Sequence, residues 1–358
     1  MKLSIIIPSH NRCRLLKKCL VSIFASSFKN FEVIVVDDNS TDNTKSLKEK
    51  YDITYIKNSA NKGAAYSRNV GAKQANGEIL VFIDSDVVIK KNTLKNLVDI
   101  FKDSKESIAC GYKLPKNLSK SWSSDFVMLR KTFSYCSWLK SKRQVIENSF
   151  PETALFAIKK QVFNEHWGFN PLFSKGSEDH EFGRRLSRNY KIKFHKSLGV
   201  YHHYEDFFGY LKKLFPRTKA FIQLVLKDKK FERRSFGTGS EAKNAILVLV
   251  LCFALFFGVL NAWFLIFSAI ILMSFIYIRR SFYVHILKNK PSVLLLSPFM
   301  DLLVYLVQGL SSVYGVVVHT LKPVARVLGF SVNVIRIFAS RTPPNISMFA
   351  TAQFDLGQ

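Results

Sequence analysis

Two carboxylates stand one residue apart at the end of a short apolar run. Residues 79–83 are typical of a strand buried on both faces, and Asp84 and Asp86 follow it directly. Like charges this close repel each other at the rim of an apolar strand, so the pair needs a cation. Mg²⁺ and Mn²⁺ prefer carboxylate oxygens and leave coordination positions for substrate phosphates. The pair predicts a metal–diphosphate site, and a solvated strand-to-turn junction is the alternative.

Charged groups also follow other predicted elements. Asp37 and Asp38 come directly after the apolar run 31–36, where a carboxylate could accept from a base N–H or a ribose hydroxyl. The alternative is a turn that caps the next helix. Lys62 and Arg68 lie near a predicted helix start and suit a diphosphate, or else belong to a solvated basic face.

A third acidic pair lies nearly a hundred residues later. Glu178 and Asp179 open a predicted helix for which Ser177 is the expected N-cap. A carboxylate there could deprotonate an acceptor hydroxyl, and helix capping is the alternative. His202 and His203 follow a predicted strand and could complete a metal shell, or have a structural role.

The elements that must position these residues alternate between short apolar runs and amphipathic stretches. Strands are expected at residues 3–7, 31–36, 53–56, 79–83, 107–111, 154–158 and 192–194. This alternation predicts an α/β fold with a parallel sheet, whose carboxyl edge collects the polar residues into a ligand crevice. There is no G-x-G-x-x-G or Walker motif, so neither a dinucleotide site nor a P-loop is supported. Residues 112–150 are expected to form a long functional loop.

Composition limits the binding partners and the cellular compartment that suit the chain. The chain of 358 residues has 53 Lys and Arg against 26 Asp and Glu, and its charge of +27 fits nucleic acid, an anionic membrane or phosphorylated substrates. The five cysteines form no C-x-x-C motif, which indicates free thiols in a reducing compartment. The apolar run near Met1 is too short for a signal peptide, so we expect this end in the cytosol.

The C-terminal part has the character of a membrane protein. Residues 245–278 contain no charged side chain, and Arg279 and Arg280 follow them. We expect a tight helical hairpin that returns these cations to the cytosolic side, with a single tilted span as the alternative. A third apolar segment, 293–321, contains Asp301, which indicates a functional or packing role or an interfacial helix.

Five motifs occur in order along the chain and carry a family resemblance. They are Ser4-Ile-Ile-Ile-Pro-Ser-His-Asn-Arg12, Val33-Ile-Val-Val-Asp-Asp-Asn-Ser-Thr-Asp42, Asn61-Lys-Gly with Arg68-Asn-Val-Gly71, Phe82-Ile-Asp-Ser-Asp86 and Gly176-Ser-Glu-Asp-His-Glu-Phe-Gly-Arg-Arg-Leu186. Over residues 1 to about 210 the chain resembles the inverting family 2 glycosyltransferases, and its C-terminal pattern resembles their membrane-anchored members. The resemblance implies a GT-A fold, which is a Rossmann-like mixed sheet flanked by helices, followed here by transmembrane helices.

The resemblance also implies a role for each matching residue. The nucleotide-sugar, carried by UDP or GDP, would contact Pro8, Asn11, Asp38 (the base), Lys62, Arg68 and Asp84 (the ribose or the metal). Asp86 and His202, with Asp84 beside them and His203 as the fallback, would bind Mn²⁺ or Mg²⁺. Asp179 would be the catalytic base, and Glu178 would support the acceptor.

These implications combine into one expected function. The protein would transfer one sugar to a polyprenyl-linked or glycan acceptor in cell-envelope polysaccharide or glycoconjugate synthesis, with membrane lipids and no nucleic acid as further partners. We expect a multi-pass protein of the cell membrane with a cytoplasmic catalytic domain. The expected divisions are a catalytic domain (1–211), a basic juxtamembrane segment (212–244), a membrane region (245–321) and a tail (322–358).

Three other functions compete with this one. A processive polysaccharide synthase is disfavoured, because residues 212–218 lack the Gln and Trp of the Q-x-x-R-W motif. A non-catalytic membrane scaffold would bind nucleotide without turnover. A nucleotidyltransferase would release pyrophosphate and would not need Glu178 and Asp179.

Overall fold

The computed structural model describes residues 1–103, 106–119, 121–148, 150–173, 176–228 and 238–327. The strands are Leu3–Ser9 (β1), Phe31–Asp37 (β2), Thr54–Lys57 (β3), Ile79–Phe82 (β4), Val87–Val88 (β5), Ile108–Asn117 (β6), Val145–Asn148 (β7), Phe156–Lys159 (β8) and Ile192–His202 (β9). The helices are Cys13–Phe24 (α1), Ala64–Gln74 (α2), Thr93–Asp103 (α3), Trp122–Thr132 (α4), Cys136–Lys140 (α5), Lys160–Glu165 (α6), Glu178–Leu186 (α7), Phe207–Asp228 (α8), Thr238–Gly258 (α9), Ala262–Asn289 (α10) and Ser297–Val327 (α11). Of the expected tail, residues 328–358 lie outside the described residues.

The strands form one mixed sheet in the order β3-β2-β1-β4-β8-β6-β9-β5, with β7 paired to β9. The first four of these strands run parallel, as the alternation of the sequence predicted. Strand β8 runs antiparallel to both β4 and β6, so the expectation of a wholly parallel sheet was wrong, and the sheet is mixed as the resemblance implied. The carboxyl ends of β1, β2 and β4 therefore meet at one edge.

Helices pack on both faces of the sheet, through one apolar layer on each face. On one face, α1 and α3 pack through residues such as Leu16, Leu20 and Leu97. On the other face, α2, α6 and α7 pack through residues such as Phe163 and Phe182. Burial of these side chains removes apolar surface from water and fixes the helices on the sheet, including the helix that carries Glu178 and Asp179.

Two local predictions differ from the structure. Residues 112–150 are not a long loop, because they contain the end of β6, the helices α4 and α5, and β7. The helix expected after Asp37 and Asp38 is a 3-10 helix, Asn43–Glu49, whose N-cap is Asp42. A carboxylate at the cap satisfies the amide of Thr44, which the helix itself cannot pair.

Helices α9, α10 and α11 are each long and apolar enough to cross a membrane. Between α9 and α10 the chain leaves the helical conformation for only a few residues, and the two helices pack through Ala254 and Ile271. Four charged residues join the helices to the rest of the protein, and we call them the Arg130–Asp301 cluster: Arg130, Glu241, Arg279 and Asp301. Asp301, which the sequence singled out, is fully buried and pairs with both arginines, so its role in the structure is packing.

Candidate active site

A cavity of about 770 Å³ opens at the carboxyl edge of the sheet. The ends of β1, β2, β4 and β9 contribute polar residues to its wall, and α2 and α7 contribute others. Most of the predicted site residues line it, namely Pro8, Asp38, Arg68, Asp84, Asp86, Glu178, Asp179 and His202. The cavity thus brings together residues that lie nearly two hundred positions apart in the sequence.

Arg68 joins Asp84 of the first acidic pair to Glu178 of the third. Its guanidinium Nη2 lies 2.7 Å from Asp84 Oδ1 and its Nη1 lies 2.9 Å from Glu178 Oε1, while the Arg68 side chain is only 3% exposed. Gly71, one turn later, lets α2 approach β1 closely, since a Cβ there would lie 2.5 Å from Ile6 Cγ2. Burial raises the pKa of Glu178, and Asp179 adds to this effect against the opposing charge of Arg68. Arg68 therefore holds two carboxylates of the site together.

Asp86 lines the cavity and is 6% exposed. Burial alone would raise the pKa of Asp86, but His202 and Arg12 hold it well below the usual value. Arg12 Nη1 pairs with Asp86 Oδ2. The short antiparallel pairing of β5 with β9 brings His202 next to Asp86.

The donor set around Asp86 fits a divalent metal ion in part. His202 Nε2 lies 3.2 Å from Asp86 Oδ1, yet this buried oxygen has no hydrogen-bond partner in the described part of the chain. Burial lowers the pKa of His202 to about 4, so its ring is neutral at pH 7 and can act as a ligand. Among the described residues, no three acidic, His or Cys side chains surround a common metal position. A metal here would have two protein ligands and would take the rest from phosphate and water.

The Asp179 side chain lines the cavity and is 25% exposed. The backbone amide and ring Nδ1 of His180 both lie 2.9 Å from Asp179 Oδ1, and Oδ2 has no hydrogen-bond partner within the described ranges. Burial works against ionisation of Asp179, but the neighbouring His180 outweighs it and lowers the pKa to about 2. The group is ionised at neutral pH and has one free oxygen. Ser177 occupies the N-cap position as expected, but its φ is 84° and its side chain caps no amide.

Asp38 and Asn11, two of the residues predicted to bind the nucleotide, hold loops by hydrogen bonds in the structure. Asp38 accepts from the amide of Lys62 at 2.9 Å and from that of Gly63 at 2.7 Å, so its carboxylate fixes the loop before α2. Asn11 accepts from the amide of Thr41 at 2.8 Å and orders the loop after β2. Neither Asn11 nor the Lys62 side chain lines the cavity. His203, the fallback ligand, does not line it either, although its amide donates to the Asp86 carbonyl at 2.9 Å.

The far end of the cavity contains residues that the sequence analysis missed. Lys131 from α4, Lys213 and Arg217 from α8, Glu241 from α9, and Gln308 from α11 line this end. Glu205 lies 3.3 Å from Lys131 and 3.4 Å from Lys213. No motif or spacing identifies these residues, because they come from elements that meet only in the folded protein. The cavity extends from Asp86 to the apolar C-terminal helices.

The sequence model described as "Glycosyl transferase family 2" matches residues 4–180. An uncharacterized glycosyltransferase of Haemophilus influenzae is 29% identical over 192 residues, which are 51% of this chain and 61% of that protein. The GalNAc(5)-diNAcBac-PP-undecaprenol beta-1,3-glucosyltransferase of Campylobacter jejuni is 33% identical over 208 residues, covering 56% of this chain and 64% of that protein. The chain thus spans somewhat more than half the length of these curated relatives.

A solved structure shows the same fold. The mannosyltransferase PcManGT of Pyrobaculum calidifontis, in complex with GDP-Man and Mn²⁺, overlaps with a TM-score of 0.54 at 19% identity. The overlap covers 88% of this chain and 87% of that chain. At this identity the likeness concerns the fold alone, and it agrees with the mixed sheet and flanking helices expected from the sequence.

Proposed function

Since residues 4–180 match the sequence model of glycosyltransferase family 2, we propose that the protein transfers one sugar from a UDP- or GDP-sugar to a lipid-linked or glycan acceptor. The observation that carries this proposal is the shared cavity. One end of it has the carboxylates Asp84, Asp86 and Asp179, and the other end borders the apolar helices α9 and α11. A soluble donor and a membrane-bound acceptor could therefore meet within it.

The donor would bind at the carboxyl edge of the sheet. Pro8, Asp38 and Arg68 line the cavity beside Asp84, and we propose that the nucleotide lies along them. In our proposal Asp86 and His202 hold Mn²⁺ or Mg²⁺, for which the unpaired Asp86 oxygen and the neutral imidazole provide support. Such an ion, when bound, would neutralise charge on the leaving diphosphate.

Asp179 would act as the general base. Its free Oδ2 accepts the proton of the acceptor hydroxyl, and the hydroxyl oxygen forms a bond to the anomeric carbon of the donor sugar. The bond from that carbon to the diphosphate breaks, and the nucleoside diphosphate leaves with the electron pair. Attack on the face opposite the leaving group inverts the configuration in one displacement. Glu178, held by Arg68, would orient the acceptor.

The acceptor class follows from the membrane side of the cavity. The name of the Campylobacter jejuni relative describes an acceptor linked to undecaprenol through a diphosphate. We propose an acceptor of this general kind, because Lys131, Lys213 and Arg217 offer cations next to α9 and α11. The protein would then work at the membrane in envelope polysaccharide or glycoconjugate synthesis, with its catalytic domain in the cytosol. Lys243, Arg279 and Arg280, which flank the uncharged run 245–278, support this orientation.

A donor screen by product mass tests the proposal. The purified full chain is incubated with UDP- and GDP-sugars, Mn²⁺ and polyprenyl-diphosphate-linked glycans, and the products are analysed by mass and anomeric configuration. We expect one nucleoside diphosphate released for each sugar transferred, with inversion. Asp86→Ala and Asp179→Asn should both lose this activity.

Other outcomes would separate the alternatives. Nucleotide binding without turnover would favour a scaffold, and release of pyrophosphate would favour a nucleotidyltransferase. Retained full activity in both variants would contradict the proposed mechanism.

A further inference from the structure

We propose that α9 and α10 form a re-entrant hairpin, which enters the bilayer from the side of the catalytic domain and returns without its tip emerging from the opposite face. The apolar surface of these two helices would contact the hydrocarbon of the bilayer. The inference concerns membrane insertion and does not depend on the proposed sugar transfer. It replaces the multi-pass anchor that hydropathy alone predicts.

The two arms of the hairpin, α9 and α10, both extend from the Arg130–Asp301 cluster. Glu241, near the start of α9, pairs with Arg130. Arg279, which follows the uncharged part of α10, lies 2.7 Å from Asp301, and Asp301 in turn lies 2.7 Å from Arg130. The Arg130–Asp301 cluster therefore ties both arms to α4 of the catalytic domain, and its charges mark the polar base of the hairpin.

The uncharged part of each arm is shorter than the hydrocarbon core of a bilayer is thick. The uncharged part of α9, residues 245–258, is roughly 21 Å long at 1.5 Å per residue. The uncharged part of α10, residues 262–278, is about 25 Å long by the same measure. The hydrocarbon core is about 30 Å thick, so the uncharged part of α9 is about 9 Å too short to cross it and that of α10 about 5 Å too short, although both whole helices, with their charged ends, are long enough. Any tilt shortens their reach further.

The tip has the properties of a segment embedded in hydrocarbon. Val259, Leu260 and Trp263 are 88%, 75% and 75% exposed, respectively, so large apolar side chains form its surface. The one polar side chain in the connection is that of Asn261, whose Oδ1 accepts from the amide of Trp263 at 3.0 Å. A water-exposed connection would leave this apolar surface in contact with water.

Four backbone amides of the tip are paired within it. The amides of Leu260 and Asn261 donate to the carbonyl of Phe257 at 2.9 and 3.1 Å, and the amide of Phe264 donates to the carbonyl of Asn261 at 3.0 Å. In hydrocarbon, unpaired amides are costly because no water is available to pair them. These paired amides meet the requirement without solvent.

Helix α11 packs along α8, which runs from the catalytic domain into the juxtamembrane segment. Ser311 Oγ donates to the Phe215 carbonyl of α8 at 2.6 Å. A Cβ at Gly315 would lie 3.2 Å from Ile222 Cγ2, so the two helices approach closely there. Because α8 also carries Lys212, Lys213 and Lys219, this contact keeps α11 near the polar surface.

Site-directed spin labelling of the full chain tests the hairpin. The label is attached at Leu260→Cys and, separately, at Val259→Cys, after Cys13, Cys136 and Cys252 are replaced by serine. The chain is reconstituted in phosphatidylethanolamine–phosphatidylglycerol vesicles. Matched labels at Lys243→Cys and Lys288→Cys report the base, since both lysines are exposed in the structure.

The accessibility of each label to oxygen and to water-soluble nickel chelate decides the question. We expect both tip labels to be relaxed by oxygen and shielded from the chelate, while both base labels are relaxed by the chelate. Tip labels as accessible to the chelate as the base labels would show that the connection emerges into water and would overturn the inference. The two tip sites make the result independent of any local effect of one substitution.

Discussion

Replacing Arg68 by methionine should destabilise the catalytic domain strongly. The substitution keeps an unbranched side chain but removes the cation between Asp84 and Glu178. Both carboxylates would then face each other across the wall of the site without a counter-charge. The guanidinium also lies 5.3 Å from the centre of the Phe169 ring, a contact that methionine would replace only in part.

The expected loss of stability follows from how deeply Asp84 and Glu178 are buried. Removing one partner of a buried ion pair typically costs about 3–5 kcal/mol. The Asp84 side chain is 27% exposed and recovers part of its hydration, whereas Glu178 is only 12% exposed. We therefore expect a loss near the lower end, about 3 kcal/mol, or a fall in the unfolding midpoint of roughly 6–12 °C for the unfolding of a catalytic domain of about 200 residues.

Thermal unfolding of the detergent-solubilised chain, followed by intrinsic fluorescence, measures the shift. Lys191→Met is the matched control, because Lys191 and its partner Glu147 are 73% and 54% exposed. Removal of such a surface pair changes stability by less than about 1 kcal/mol. The double variant Arg68→Met with Glu178→Gln should recover part of the loss, since it no longer leaves a buried carboxylate unpaired.

Two results would refute this reasoning. One is an unfolding midpoint for Arg68→Met that matches the surface control. The other is a double variant that is less stable than Arg68→Met alone, which would mean that Glu178 contributes stability without its partner. Either result would leave Arg68 with a role in ligand binding only.

Three further predictions concern the remaining site residues. Asp179→Asn should lower kcat by roughly 10²–10⁴-fold in single-turnover assays while equilibrium titration gives an unchanged donor affinity, and Glu181→Gln on the same helix serves as control. Asp86→Asn and His202→Ala should each abolish Mn²⁺ binding in an electron paramagnetic resonance titration, whereas His203→Ala should retain it. Wild-type stability should fall by up to about 3 kcal/mol as the pH drops from about 6.5 to about 4, because the unfolded state protonates His202 in this range and the folded state does not. His202→Gln should flatten that part of the thermal-stability profile, and an unchanged profile would contradict the buried, neutral imidazole.

The sequence was informative wherever a strand ends in a polar residue. The apolar run before Asp84 and the run before Asp38 both form strands, and their carboxyl ends meet at one edge because the strands are parallel. The spacing of apolar residues and the positions of polar ones are local properties of the sequence, so they can be recognised without knowledge of the fold. The position of the cavity follows from the same rule.

Side-chain pairing could not be predicted in this way. Arg68 meets Glu178, and Arg12 meets Asp86, only because the sheet order brings α2, α7 and the end of β4 together. Helix α4 was also missed, since Trp122–Thr132 combines polar residues with a weak apolar stripe. Its packing on Phe207 and Phe282 stabilises a helix that local preference alone does not indicate.

The Arg130–Asp301 cluster has a consequence for the acceptor. Because the cluster joins α4 to α10 and α11 through buried charges, the catalytic domain cannot tilt away from the lipid surface without leaving those charges unpaired. The height of Asp179 above the membrane is then a fixed dimension of the protein. For the lipid-linked acceptor that we propose, we expect this dimension to act as a ruler, so that the glycan is extended only when its terminal hydroxyl reaches that height. Selection by length would need no contact with the internal sugars of the glycan.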